Sequence, residues 1–573
     1  MNKVLISGNE AIAKGAYECG VVFASAYPGT PSTEIIENIA QYKEIYSEWS
    51  PNEKVAYEVA YGASLAGGRA LVVMKHVGLN VASDPLMTSA YTGINAGLVI
   101  VSADDPGQHS SQNEQDNRRF AFFAKIPCIE PTDSQEAKDF LNDAFEISEQ
   151  FDIPVLFRIT TRISHSKSPV ILGTRKEIPI KEYKSDPKKY CMIPAFSRPR
   201  RIDLEKRIEK LKEFSNNFKH NKVEMRSPKI GIITSGISYQ YVKEVFNDAS
   251  ILKIVMSNPI PDKLIQEFSK SVEKLYVIEE LEPYIEEHVK MMGIPVIGKT
   301  LIPSIGELNP DIIRSSITGE KIQTKIPEIP NRPPILCPGC PHRGFFVVVK
   351  KMRLIPLGDI GCYTLSCLPP LNSHDTCLCM GASIGQAIGF SKVYKDSSKN
   401  KILGILGDST FVHSGITPLI DALYNKANIV ICILDNGTTA MTGHQENPTT
   451  GKTIHGENTN KLDLEKLCQT LGVTDVQVVN PIDLKQTEEA LKKSLNFIGT
   501  SVIIFRSPCI IKFRSTWKEP LKVEKEKCIK CGACIRVGCP AITKDIEGKS
   551  EINNLLCIGC TVCSQVCKQG AIS

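Results

Sequence analysis

Two runs of cysteine close the chain: Cys528, Cys531 and Cys534 followed by Cys539-Pro540, then Cys557, Cys560 and Cys563 followed by Cys567. Three thiolates at C-x-x-C-x-x-C spacing wrap one iron–sulfur cubane, and the fourth cysteine of each run reaches across to the other cluster. The spacing predicts two [4Fe-4S] sites. One is held by Cys528, Cys531, Cys534 and Cys567, the other by Cys557, Cys560, Cys563 and Cys539. A pair of zinc sites is the competing reading, although zinc sites rarely repeat the three-cysteine run. Upstream, Cys337-Pro338-Gly339-Cys340, Cys362 and Cys509 form a close pair with two distant partners, enough to close a further four-thiolate site once the chain folds. Cys367, Cys377 and Cys379 compete with Cys362 for the third position, and a zinc knuckle or buried free thiols is the alternative for the pair itself.

A second chemistry lies between these cysteines. KILGILGDS (Lys401 to Ser409) reads as a buried strand ending in Gly407-Asp408, and NIVICILDN as a second strand ending at Asn436. Ligands in wound sheets bind beyond the strands' C-terminal ends, and a carboxylate with an amide oxygen there suits Mg²⁺ and its phosphate-bearing ligands. The 28-residue separation resembles the thiamine-diphosphate motif, with Ser409 in place of its final glycine. That resemblance implies that Asp408, Asn436 and a carbonyl near Thr438 hold the metal, while Gly407, Ser409, Gly437 and Thr438 line the diphosphate. Thiamine diphosphate needs a carboxylate on its aminopyrimidine ring. Glu53, nine residues before Gly62, matches the family's activating glutamate; Glu58 competes, and a solvated first-turn helix residue is the plain alternative.

Positioning such groups requires sheets. Apolar runs at Val21–Tyr27, Ala70–Met74, Leu98–Ser102 and Val155–Ile159 alternate with helical stretches, which predicts a wound α/β domain over 1–164. Residues 165–226 are polar and basic, with one amphipathic helix at Leu204 to Phe218, and read as a solvated connector or a docking segment for an acidic partner. A small α/β domain over 227–324 follows, then a proline-rich boundary, a third α/β domain over 325–518, and the ferredoxin-like α+β tail over 519–573. With 573 residues, 42% hydrophobic and 23% charged, the chain is neither disordered nor one compact core. Its net charge of +5 does not suggest nucleic acid, and no apolar run approaches a membrane span. Without an apolar leader at MNKVLISGNE, the expectation is a cytoplasmic protein.

CPGCPHRG, GDSTFVHSGITPL and LDNGTTAMTGHQ, in this domain order, resemble the 2-oxoacid:ferredoxin oxidoreductases, and within them the branch acting on arylpyruvates. The resemblance covers nearly the whole chain. It implies transketolase-like thiamine domains, thiamine diphosphate, Mg²⁺ and three [4Fe-4S] clusters, the third a proximal one on Cys337, Cys340, Cys362 and Cys509. The implied reaction is oxidative decarboxylation of an arylpyruvate such as indole-3-pyruvate, with coenzyme A taking the acyl group and ferredoxin the electrons. The implied partners are a smaller β subunit in an α2β2 or larger assembly, and neither nucleic acid nor membrane. By the same resemblance Thr30, in YPGTPSTE, approaches the reacting carbonyl; PGTPS is also a turn that caps a helix through Ser32 or Thr33. Arg118 or Arg119 offers a guanidinium fork to the substrate carboxylate, or belongs to a solvated loop. His76, His109, His342, His413 and His444 lie near these motifs. The alternatives are a non-oxidative thiamine-dependent decarboxylase or lyase with an accessory ferredoxin domain, and an electron-transfer subunit with a vestigial crevice.

Overall fold

The computed structural model describes residues 3–320, 329–330, 333–394 and 401–573, and the chain divides into two compact units, Met1–Pro327 and Glu328–Ser573. The proline-rich boundary expected at 324/325 lies outside the described residues. The expected architecture, wound parallel sheets followed by a small cysteine-rich tail, is borne out.

In the first unit, Ala70–Lys75, Leu98–Asp104 and Val155–Thr160 are apolar along nearly their whole length, and every residue in them is buried. Such strands suit the centre of a parallel sheet covered on both faces. They belong to a seven-stranded sheet in the spatial order Met256–Asn258, Cys128–Ile129, Val155–Thr160, Leu98–Asp104, Ala70–Lys75, Phe23–Ala26 and Tyr46–Trp49. All neighbours run parallel except Met256–Asn258, which joins the edge antiparallel. A four-stranded sheet, Lys274–Ile278, Ser227–Ser235, Ala249–Ile254 and Lys222–Glu224, makes up the rest, with only the last strand antiparallel.

The basic segment is largely exposed over 171–200, as a solvated connector would be, but its two ends are built into the fold. Lys167–Ile171 pairs with Lys3–Ser7, and the helix expected from Leu204 begins earlier, as Pro194–Asn216 with Pro199 inside its first turns. Pro194 takes the first helical position, where a missing N–H costs least, whereas Pro199 removes a donor inside the helix. The helix buries Leu204, Ile208 and Leu211. Arg200 and Arg207 donate to the carbonyls of Ala90, Tyr91 and Thr92, the C-terminal end of helix Ser83–Thr92, where cations are favoured.

Arg118 does not face a substrate crevice. Only 1% exposed, it donates to both Asp116 oxygens, to Glu279 Oε2 at 2.6 Å and to the Glu280 carbonyl at 3.1 Å. Arg158 sits beside it on Asp104 and Glu130. Arg119 is engaged with Glu282 and Glu287. Both arginines therefore tie the first sheet's loop to the segment after Lys274–Ile278, and the carboxylate-clamp expectation is corrected: the fork is already filled.

The second unit centres on an all-parallel six-stranded sheet in the order Thr376–Cys377, Ile355–Gly358, Ile402–Gly407, Val430–Asp435, Ser501–Arg506 and Asp475–Val479. Its tail carries one short hairpin, Ile542–Lys544 with Ser550–Ile552. No described helix is long and apolar enough to cross a membrane.

Replacing Arg118 by methionine leaves Asp116 and Glu279 buried without their cation, at a cost of about 3–5 kcal/mol. Denaturant unfolding of the variant should show that loss. Unchanged stability with a raised KM would restore the clamp.

Candidate functional site

Adjacent strands of the second unit end together. Asp359 follows Ile355–Gly358, Asp408 follows Ile402–Gly407, Asn436 follows Val430–Asp435, and Ser507 follows Ser501–Arg506. Gly407 lies in register with Leu434, and Asp435 with Arg506, so Asp408 and Asn436 emerge side by side at the ligand-binding rim. Asp408 begins a helical stretch that continues through a π turn at Phe411–Gly415 into Ile416–Tyr424, a local form common at functional sites. Burial, followed by the nearby Asp435 charge, pushes the Asp408 carboxyl up to about 7, while Thr449 Oγ1 donates to it at 3.1 Å.

Asn436 is oriented from both ends. Its Oδ1 accepts from Thr438 N–H at 3.1 Å, and its Nδ2 lies 3.3 Å from Nε2 of His342, which burial lowers to about 4 and so keeps neutral as an acceptor. Gly437, at φ +70°, adopts the left-handed turn that carries the chain past the rim. Ser409 Oγ accepts from the Thr439 hydroxyl at 3.0 Å. Beside these residues opens a cleft of about 570 Å³ lined by Asn436, Gly437, Thr449, Lys452 and Lys512 together with the carboxylates of Asp435, Glu446, Asp463 and Glu465. Two hard oxygen ligands, orienting partners and a polar cleft fit a divalent cation with a diphosphate.

The distant cysteines meet at the same rim. Cys509 N–H donates to the Asn436 carbonyl at 2.9 Å, and Cys362 lies on the turn after Asp359. Cys337, Cys340, Cys362 and Cys509 fall within electrostatic reach of one another. Burial pushes the Cys340 and Cys362 thiols up to about 12, so they ionise against a cation. Cys377 instead interacts with Asp359, Cys367 and Cys379. Those three thiols form a separate exposed group, which favours Cys362 as the third member.

In the tail, one cradle is lined by Cys539, Cys557, Cys560 and Cys563, the other by Cys528, Cys531, Cys534 and Cys567. These are the two crossed sets. Apolar side chains such as Val537, Ile542 and Ile572 fill the spaces between the thiols. N–H groups of Ser550 and Ala571 point at Cys528 and Cys567. Among the described residues no three His, Cys, Asp or Glu side chains close around a point as a single ion requires. A cubane spreads four thiolates over four iron corners, and each crossed set brings four thiols to one cradle.

In the first unit, Glu53 opens helix Glu53–Leu65, which Asn52 caps through Val55 N–H. Glu53 is 6% exposed, whereas Glu58 is exposed and paired with Lys54. Glu53 packs on Gly78: a Cβ there would stand 2.7 Å from its Cγ and 2.9 Å from Oε1. Thr30 lies in the turn after Phe23–Ala26, and its carbonyl accepts from Ser110 Oγ at 3.2 Å. Ser32 occupies the cap position but turns its hydroxyl to the Gly29 carbonyl, so it does not cap the helix.

Two participants, Lys75 and Asp359, were not read from the sequence, and His342 was read only as lying near the motifs. Lys75 ends strand Ala70–Lys75 of the first unit, and burial lowers its ammonium to about 8. It donates to the Ser110 carbonyl at 2.6 Å and approaches the Ser110 hydroxyl at 3.3 Å. His342 orients Asn436, and Asp359 organises the Cys362 loop by accepting from Tyr363, Ser383 and Gly381. The Gly358-Asp359 pair repeats the Gly407-Asp408 pattern at a strand end, a signal that was legible. Of the other histidines, His76 is fully buried with Nε2 on Asn113, and His109 pairs with Glu307.

These sites coincide with three family descriptions. Residues 14–229 match pyruvate flavodoxin/ferredoxin oxidoreductase, thiamine diphosphate-binding; 359–505 match the thiamine pyrophosphate enzyme C-terminal binding domain; 520–568 match a 4Fe-4S dicluster domain. Fold and site together define a thiamine-diphosphate-dependent oxidoreductase with an iron–sulfur tail. The chain is 43% identical to the indolepyruvate oxidoreductase subunit IorA of Pyrococcus horikoshii, over 99% of this chain and 96% of the relative. It is 41% identical to that of Methanothermobacter marburgensis and 40% to that of Archaeoglobus fulgidus, each over 100% of this chain and 97% of the relative. It belongs to the IorA family, the catalytic subunits of a branch of the 2-oxoacid:ferredoxin oxidoreductases, as the motifs implied.

A proton competes with any cation at Asp408. The group's raised pKa means that its contribution to apo-protein stability is lost as pH rises through about 7, while cation binding gains over the same window. Titration of Mg²⁺ in the presence of thiamine diphosphate should show affinity falling roughly tenfold from pH 8 to pH 6. A flat profile would remove Asp408 from the cation site.

Proposed function

We propose that the chain carries out the oxidative decarboxylation of arylpyruvates, indole-3-pyruvate foremost, passing two electrons to ferredoxin and the acyl group to coenzyme A. The substrate class follows the printed name of its relatives, indolepyruvate oxidoreductase. The observation that carries the reading is the junction at one sheet rim: Cys509, a member of the four-thiol group, donates its N–H to the carbonyl of Asn436. An electron-accepting cluster and a cation-bound diphosphate would then share a backbone hydrogen bond.

Bound thiamine diphosphate supplies a positively charged ring that acts as the electron sink for decarboxylation. Asp408 Oδ, Asn436 Oδ1 and a carbonyl near Thr438 hold Mg²⁺, while Gly407, Ser409, Gly437 and Thr438 border the diphosphate. Glu53 exchanges a proton with the aminopyrimidine through its Oε atoms, held against Gly78. Thr30 approaches the reacting carbonyl, and Lys75 Nζ takes the carboxylate role that Arg118 cannot fill. Cys337, Cys340, Cys362 and Cys509 hold the proximal [4Fe-4S] cluster, and the two crossed sets hold the others. As a subunit, the chain requires a partner, read as the smaller β subunit.

Anaerobically purified protein should contain about twelve irons with matching sulfide, from three cubanes, and Glu53→Gln should lose at least about a hundredfold in oxoacid turnover. About eight irons with retained decarboxylation would instead favour the non-oxidative reading. Lys75→Met should raise the KM for the 2-oxoacid about tenfold or more while kcat changes less, consistent with one lost charged hydrogen bond. In the unaltered enzyme KM should rise as pH passes about 8, where Lys75 discharges. An unchanged KM in the variant would return Lys75 to a structural role.

A further inference from the structure

Arg343 lies in the first turn of helix His342–Met352, three residues after Cys340, and is 2% exposed. Its Nη2 donates to the carbonyls of Leu336 at 2.6 Å and Cys337 at 3.0 Å. Its Nη1 donates to the carbonyls of Val537, at 3.2 Å, and Gly538, the two residues before Cys539. The guanidinium thus spans from the backbone of the proximal cysteine pair to the backbone of the tail. Nε is buried without a hydrogen-bond partner, and no carboxylate of the described residues pairs with this cation. Arginine stays charged in proteins, and a buried charge with only neutral carbonyl partners is costly unless a counter-charge stands nearby.

The surroundings indicate where that counter-charge belongs. Arg343 and Gly339 line the cradle of Cys539, Cys557, Cys560 and Cys563, whereas the cradle of Cys528, Cys531, Cys534 and Cys567 is lined by tail residues alone. The Arg343 charge acts on the thiols of Cys337 and Cys340 on one side and Cys560 on the other. Close approach is built in. A Cβ at Gly339 would stand 2.3 Å from Ile558, and one at Gly538, at φ +74°, 2.9 Å from Pro370. Gln565 fastens the same face through Leu484 N–H and the Ile482 carbonyl.

We propose that Arg343 is a charge bridge between the proximal cluster and the cluster of Cys539, Cys557, Cys560 and Cys563, positioning the two as neighbours and making both easier to reduce. The proposal rests on the three-cluster reading above. A cubane ligated by four thiolates is net negative and gains further negative charge on reduction, so a fixed cation between two of them favours their reduced forms. Each electron then passes from the proximal cluster to the Arg343-flanked one, and leaves through the Cys528 set, which Arg343 does not touch. Arg343 is a positioning residue and meets no substrate.

The test is a potentiometric titration of the anaerobic holoenzyme, followed by electron paramagnetic resonance and paired with iron analysis. With iron content retained, Arg343→Met should shift two of the three midpoint potentials to more negative values and leave the third in place. Full iron with three unmoved potentials would overturn the bridge. If Arg343→Met loses clusters, Arg343→Lys and Arg343→Gln decide the matter. Both lack the fork and only one keeps the charge, so a potential difference between them supports the bridge and identical potentials refute it. Eight irons in the unaltered protein would remove the proximal cluster, and with it the reading on which the bridge depends.

Discussion

Strand register is the constraint on which the candidate chemistry rests. Ile402–Gly407, Val430–Asp435 and Ser501–Arg506 run parallel and nearly flush, so the residues after them arrive at one rim from three chain segments far apart in sequence. A one-residue slip in any of these strands would exchange its two faces and carry Asp408, Asn436 or Cys509 away from the others. The strands are buried on both faces, so a slip would also force the close-packed layers on either side of the sheet to repack. The hydrogen bond from Cys509 N–H to the Asn436 carbonyl follows from that register.

Buried charge is used in two contrasting ways. Around Arg118 and Arg158, the carboxylates of Asp104, Asp116, Glu130 and Glu279 supply the counter-charge from protein alone, and the assembly joins parts of one unit. Among the described residues the hydrogen-bond partners of Arg343 are backbone carbonyls alone. The first arrangement is self-sufficient, whereas the second anticipates an anionic guest. Burial raises Asp359 and Asp408 alike, each to about 7, Asp359 accepting from Tyr363, Ser383 and Gly381 and Asp408 from Thr449.

What was legible in the sequence was chemistry written at short range. The tail cysteines could be sorted into crossed sets because spacing within a tight loop constrains where thiols can point, and Asp408 and Asn436 because each ends an apolar run. Contacts between distant segments were opaque. Arg118 looked like a free fork because its partner Glu279 lies far along the chain. Lys75, one residue past the apolar run Ala70–Met74, carried no sign of its burial, and the early start of helix Pro194–Asn216 was hidden by Pro199, which local propensity reads as a break. Gly78 carried no signal at all, since its meaning is the absence of a side chain beside Glu53.

The antiparallel edge strand Met256–Asn258 bears on how the molecule comes into being. It pairs with Cys128–Ile129 from within the stretch that otherwise builds the four-stranded sheet, and Glu130 N–H bonds to the Val255 carbonyl beside it. During synthesis the seven-stranded sheet therefore emerges from the ribosome with an unpaired margin, a template for mispairing, until Asn258 has followed. This pairing joins the seven- and four-stranded sheets of the first unit, and a fragment cut after His165 would inherit an open edge.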